Sequence, residues 1–303
     1  SYDEAKEPGY DGQIPEWGGG DAAAPAEQPA DVILTPSGGQ EASAIAGLVD
    51  YGSLTVAPNV VEVRDADALR GAVVAAKPGD IIKVYPGDYD ITPDDSAPVV
   101  IGQAGWYLPI TADHVTIQGV DANGNAITDA AQTQATIYSS TVRANGAYAT
   151  QNLITVFGDH VTISGLTIMP KVEVNKTIEV SGENFTLTNC SIVPNDKAEG
   201  ATADAGSLYF SGDKGTVVVE GNYFKQMVLS FDSVDQADSI LVENNVFDTP
   251  VDGDTQMISN VTWSTPPTQT MADVTIRDNT FKNLPAEYDN LVLNRMGGGA
   301  FIL

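Results

Sequence analysis

The residues able to do chemistry are few and unevenly placed. Acids outnumber bases 41 to 14, the net charge is −27, and there are two histidines and one cysteine. Three acids recur in like contexts, Gly-Asp159-His, Gly-Glu183-Asn and Gly-Asp213-Lys. If those tripeptides stack, the carboxylates of Asp159, Glu183 and Asp213 form a file whose repulsion bound Ca²⁺ would relieve. They are the candidate metal ligands; screening by Lys214 and solvent is the alternative. No other cofactor is required. Glu179 and Asp232 could pair for glycoside chemistry. Two repeats apart they would be separated by about 10 Å, near the upper limit for an inverting pair of carboxylates. His114 and His160 each stand just before a Val-Thr-Ile strand. They read as structural occupants of one turn in different repeats. Cys190 follows a turn asparagine inside a strand and reads as core. A lone cysteine excludes an internal disulfide and cysteine-based zinc frameworks. Lys176 and Lys214 are expected to be solvated, and Arg277 to form an ion pair between repeats.

The same charge balance excludes whole classes of partner. A surface this negative repels phosphate backbones, so nucleic acid is not a partner. It disfavours anionic membranes, and at long range it opposes polyanionic substrates such as polyuronates. Cations, neutral glycans and basic partners remain. No apolar run reaches the eighteen residues of a membrane-spanning helix.

The elements that would position these groups form two regions. Residues 1–40 hold five prolines, seven glycines and no apolar period, and read as a disordered acidic Pro/Gly-rich linker. Residues 41–303 read as one domain. A short helix is predicted over Ala68–Ala76, capped by Asp67, with Leu69, Val73 and Val74 on one face. Ile81–Tyr89 then gives a strand, a tight turn and a second strand.

From there a repeat governs the chain. Its copies begin at Val115, Val161, Phe185, Val217, Ile240 and Val274; each runs apolar-x-apolar, as in Val-Thr-Ile, into a Gly, Asn or Asp turn, and all but the first then reach Ile or Phe. The period is about 23 residues with loop insertions, the pattern of a solenoid. The step from Val115 to Val161 reads as two periods, with Ala135–Tyr138 as the missing strand. A further strand precedes each copy, as in Leu153–Phe157, Thr177–Val180 and Ser207–Phe210. Gly119, Gly165, Asn189, Gly221, Asn244 and Asp278 share one turn position, where left-handed backbone angles are tolerated. Asn222, Asn245 and Asn279 offer a file of amides that could bond along the stack.

The segment Leu69–Tyr89 and the Val-x-Ile-x-Asn/Gly-x-x-Phe rung together resemble the right-handed parallel β-helix of the pectate-lyase-like superfamily. The helix and first rung are similar to those of the alginate-lyase and chondroitinase-B group. The resemblance covers about residues 62–303. It implies an all-β fold, a single-stranded right-handed parallel β-helix of about nine rungs with an N-terminal cap helix. It also implies that the strand before each Val-x-Ile copy lines a concave glycan-binding face. The outward positions there would be Lys83, Tyr85, Thr155, Glu179, Tyr209, Ser230, Asp232 and Asn294. Loops 139–152, 193–206 and 248–256 would wall it. The candidate ligand-binding residues are Tyr85, Arg143, Lys176, Glu179, Tyr209 and Asp232.

A polysaccharide lyase needs a Lys or Arg base beside a second cation or Ca²⁺. The tight Lys/Arg, Asn and Glu constellation of the alginate-lyase group is missing here, as is the Arg-x-Pro-x-x-Arg signature of pectate lyases. A polygalacturonase-type hydrolase needs clustered Asp and a Gly-His-Gly, which neither histidine provides. The expectation is therefore a cell-surface or secreted protein that binds carbohydrate or mediates adhesion without catalysis. A lyase or glycoside hydrolase with an atypical site is the alternative. The linker resembles the segment that follows the lipid-bearing cysteine of bacterial surface lipoproteins. That implies a lipid anchor upstream of Ser1 and placement at the bacterial cell surface or outer membrane.

Overall fold

The computed structural model describes residues 49–51, 54–56, 58–92, 108–140, 152–171, 174, 176–193, 207–249, 257–260, 270–284, 292–294 and 300–302. All belong to the unit Gly47–Leu303; the linker 1–40 lies outside the described residues. After a short antiparallel pair, Val49–Tyr51 with Leu54–Val56, every strand pairing is parallel.

The strands stack in three rows, and successive segments of the chain return to them. The first row holds Leu108–Ile110, Ile154–Val156, Ile178–Val180, the starts of Ser207–Glu220 and Val228–Glu243, then Ile258–Asn260 and Val292–Asn294. The second runs from Val60–Val63 through Ile81–Val84, Thr116–Gly119, Thr162–Ser164 and Thr186–Thr188. It continues through the ends of the two long strands to Thr270–Arg277 and Ala300–Ile302. The third contains Gly87–Asp90, Ala135–Tyr138, Thr167–Ile168, Ser191–Ile192, Tyr223–Lys225, Val246–Asp248 and Thr280–Lys282. Stacked parallel sheets built from repeated strands make this an all-β parallel fold, compatible with a solenoid.

Alternation fixes which side chains enter the core, because successive residues of a strand point to opposite faces. In the second row Ile82, Ile117, Ile163, Leu187, Val219, Val242 and Ile276 are in register and buried. In the third row Tyr89, Ile137, Ile168, Ile192, Phe224 and Phe247 do the same, with Phe281 packed against them. Each such side chain contributes about 1.5–3 kcal/mol of gross burial energy. Phe224, Phe247 and Phe281 stack in turn with centroids 5.1 Å apart.

Two turns close each level. Between second and third rows, Gly165, Asn189, Gly221, Asn244 and Asp278 all have φ between 54° and 67°, the conformation their types predict. Gly119 does not share it. A Cβ there would lie 1.9 Å from the carbonyl oxygen of Gly165, so close approach of the backbones requires that glycine. Between first and second rows, Gly182 is needed for the same reason, since its Cβ would stand 2.1 Å from the Gly158 carbonyl.

Three expectations are corrected. The helix spans Ala66–Ala75 and its N-cap is Asp65, whose extended backbone lets its carboxylate accept from the Ala68 N–H at 2.8 Å. Val74 is exposed, for it follows Leu69 by five residues, about 140° around the axis, while Val73 lies a turn away and is buried. Ala135–Tyr138 belongs to the third row. Thr116–Gly119 pairs directly with Thr162–Ser164, so the long step is one level with an excursion.

Candidate functional site

The first row carries the outward file expected to bind ligand. Its register runs Pro109, Thr155, Glu179, Tyr209, Ser230, Ser259 and Leu293. Thr155, Ser230 and Ser259 are buried, whereas Glu179 and Tyr209 are half-buried and adjacent. The accessible chemistry of the file is thus concentrated at two neighbouring levels, about 4.8 Å apart.

Lys176, just before the strand that carries Glu179, places its ammonium 4.7 Å from the centroid of the Tyr209 ring. Asn152, buried one level away, donates from Nδ2 to Glu179 Oε2 and to Thr155 Oγ1 at 3.3 Å. Aromatic face, carboxylate, ammonium and amide therefore converge. Such a set can stack a ring-shaped ligand, accept from its hydroxyls and donate to its oxygens.

Other expected members fall elsewhere. Lys83 and Tyr85 belong to the second row, because Ile81–Val84 pairs with Thr116–Gly119. The Tyr85 hydroxyl donates to Glu62 Oε1 at 2.9 Å, which raises its pKa, and the Arg64 guanidinium lies 3.5 Å above its ring. Lys83 donates to the Gly124 carbonyl. Asn294 is in register with Asn260, out of phase with Glu179, and Leu293 takes the row position. Asp232 lies at a bulge, where the partners of Tyr209 and Ser211 are Ser230 and Ser233. The backbone of Asp232 is therefore two levels up and two residues along from Glu179, roughly 12 Å away. Arg143 and most of loops 139–152, 193–206 and 248–256 lie outside the described residues.

At the acidic corner two carboxylates accept from the backbone of the level above. Asp113 Oδ1 accepts from the Asp159 N–H at 3.0 Å, and Asp159 Oδ1 from the Glu183 N–H at 2.8 Å. Asp213 Oδ2 accepts from Gln236 Nε2 at 3.0 Å. Lys214, expected to be solvated, is instead only 2% exposed. The corner that carries it is longer than the one below, seven residues from Phe210 to Val217 against five from Val180 to Phe185, and the extra length turns Lys214 inward. Its Nζ donates to the carbonyls of Ser181 and Asp213, both at 2.8 Å. Burial lowers its pKa to about 8, against the opposing field of Glu183, Asp159, Asp213 and Asp235. Among the described residues no three His, Cys, Asp or Glu side chains gather closely enough to hold a metal ion.

The remaining groups are structural. His114 and His160 share left-handed φ of 56° and stack 4.3 Å apart. Cys190 is buried, and desolvation pushes its thiol up to about 12. Arg277 pairs with Glu243 at 2.5 Å.

One cluster went unread in the sequence. Asp248 receives the Tyr223 hydroxyl at 2.6 Å, Asn283 Nδ2 at 2.6 Å and the Lys282 ammonium at 3.2 Å. Burial alone would raise its pKa, but these donors hold it at about 2. The signal was available. Lys225, Asp248 and Lys282 each follow the repeat phenylalanine, so their charges alternate along the third row.

No family model matches the chain, and no curated protein or solved structure matches it.

Proposed function

We propose that this chain is a right-handed parallel β-helix of the pectate-lyase-like kind that binds glycan without catalysis, at the cell surface or secreted. The three parallel rows and the α-helix Ala66–Ala75, packed against the strands at their amino-terminal end, support that architecture. The observation that carries the function is the half-buried pair Glu179 and Tyr209, with Lys176 over the tyrosine ring and Asn152 on the carboxylate. A tyrosine face flanked by hydrogen-bonding groups suits a sugar, whose C–H face stacks and whose rim hydroxyls need partners. The lipid anchor is proposed on the composition of residues 1–40 alone.

Titration against neutral, amino and acidic oligosaccharides tests the reading. Binding weakened about tenfold by Tyr209→Ala, with no new reducing ends and no absorbance from unsaturated uronates, is the expected result. Turnover that Glu179→Ala or Lys176→Ala abolishes would replace it with the lyase or hydrolase alternative.

A further inference from the structure

A strand edge and a groove meet at the amino-terminal end of the stack. Val60–Val63 is the outermost strand of the second row and pairs on one side only, with Ile81–Val84. Among the described residues nothing pairs with its other side, since the hairpin of Val49–Tyr51 and Leu54–Val56 is a separate two-stranded sheet. The carbonyls of Asn59 and Val63 accept from the N–H groups of Ile81 and Tyr85 at 2.9 and 3.1 Å. In a parallel ladder alternate residues turn their N–H and C=O toward opposite neighbours. Those of Val60 and Glu62 therefore point along the free edge. Val60 is 48% exposed and Val63 only 1%, so the edge is open at its start and closed near the helix.

Beside the open part lies a groove of about 490 Å³, lined by Asn59, Val61, Ala72, Ala75, Lys77 and Asp80. Asn59 and Val61 are in phase with buried Val63 and face inward, while Ala72 and Ala75 come from the helix. The groove is thus the uncovered end of the core. Val61 is half-buried there, whereas its register partner Ile82 is fully buried one level below. The outer column of the same row sets the charge. Glu62 lies over Lys83, and farther along this column Glu243 pairs with Arg277 at 2.5 Å. A cation above Glu62 continues that alternation. The Glu62 side chain is 53% exposed, and its ion pair with the exposed Arg64 is long, 3.5 Å. Such a pair contributes little, and the net charge of −27 draws a basic partner toward this end as toward the rest.

We propose that this end of the molecule binds another protein by strand addition, and that the added segment is extended and alternates apolar with basic residues. Its backbone takes up the free N–H and C=O groups of Val60 and Glu62. Its inward apolar side chain fills the groove between Val61 and the helix residues Ala72 and Ala75. Its outward lysine or arginine sits above Glu62. One segment thereby covers both the unpaired edge and the open core, two features that a folded protein otherwise leaves exposed to indiscriminate pairing.

The experiment titrates the full chain with the capped peptide acetyl-Thr-Val-Lys-Val-Thr-amide at physiological salt. A second peptide has Glu in place of Lys, and a third has the same composition as the first in the order Val-Val-Thr-Thr-Lys. The first is expected to bind about tenfold tighter than either control. Val60→Pro removes an edge N–H that the fold does not use, a substitution edge strands tolerate, and should weaken binding about tenfold with the melting curve kept. Ala72→Leu fills the groove from the helix side and should weaken it similarly, so the test survives a Val60→Pro chain that fails to fold. Glu62→Lys should reverse the preference, favouring the Glu peptide over the Lys peptide. A preference for Lys that Glu62→Lys leaves unchanged overturns the proposal, since bulk charge then explains it. Binding that neither Val60→Pro nor Ala72→Leu weakens places the peptide elsewhere and overturns it too. If no peptide binds and the chain instead forms a dimer that Val60→Pro dissociates, the edge belongs to a second copy and the proposal fails.

Discussion

Lys214 shows how one buried side chain can govern a pH response. The unfolded chain keeps this proton to about pH 10.4, while the folded chain releases it near 8 because burial penalises the ammonium. Between those values the unfolded state binds more protons, so raising the pH favours the folded state. The gain is bounded at roughly 3 kcal/mol, since each tenfold loss of proton affinity on folding is worth about 1.4 kcal/mol. Tyr89 and Tyr223 act in the opposite sense above about pH 10, because their raised pKa values penalise ionisation in the folded state. The slope is therefore to be read below that point. The Cys190 thiol, raised to about 12, would oppose this gain from about pH 8.5 upward; with Cys190→Ala as the background, urea midpoints should rise between about pH 8 and 10, and those of Lys214→Met in the same background should stay flat. A Lys214→Met variant that keeps the slope of that background would mean that another group carries it. Such behaviour was hidden in the sequence, where Lys214 looks like one more charge in a polar turn. Only the widened corner turns it inward.

At the scale of elements, the turn after the second row is the most demanding part of each level. Asn222 Nδ2 donates to Asn245 Oδ1 and Asn245 Nδ2 to Asn279 Oδ1, each at 3.0 Å, while each amide also reaches a backbone carbonyl. The same Oδ1 atoms accept the N–H groups of Asn222 and Asn245, and Asn222 Oδ1 accepts that of Cys190. The ladder thus supplies donors and acceptors that the turn backbone cannot supply for itself. Asn245→Ala removes the middle link and leaves buried partners unpaired, including the Val219 carbonyl and the Asn222 N–H. It should cost about 3 kcal/mol by denaturant titration, against about 1 kcal/mol for Asn279→Ala at the half-buried end. Equal losses would show that the link, rather than its burial, sets the energy. This ladder was legible, because like residues recurred at one position of the repeat. The level order of Ala135–Tyr138 was not, because a three-residue apolar motif fits either row and only pairing decides between them. The row of Glu179 and Tyr209 was readable for the same reason as the ladder. Tyr85 was misassigned because Ile81–Val84 precedes no Val-x-Ile copy of its own; it is itself a copy, carrying the second-row pattern without the turn that marks the others.

The whole molecule must tolerate a net charge of −27 while stacking carboxylates one above another. Two mechanisms can offset that repulsion, and they respond differently to ions. Diffuse screening depends on ionic strength and acts through a Debye length of about 8 Å at physiological salt. A bound Ca²⁺ would act at a few sites and saturate at low concentration. The structure favours the first mechanism at the acidic corner. Asp113 and Asp159 are engaged by backbone N–H groups, Asp213 by Gln236, and the Lys214 ammonium lies within the field of Glu183, Asp159 and Asp213. Adding about 0.5 M NaCl should raise the melting temperature by roughly 2–5 °C, a gain of about 1 kcal/mol for a domain of this size. Millimolar Ca²⁺ at matched ionic strength should add nothing beyond that, and Mg²⁺ should behave identically. A Ca²⁺-specific rise that Asp159→Asn or Glu183→Gln removes would restore the corner as a metal site. Because screening acts on every exposed acid together, single neutralisations such as Asp113→Asn should each move the midpoint by less than about 0.5 kcal/mol. The response to salt then belongs to the charge of the stack as a unit, while the response to pH near 8 belongs to Lys214.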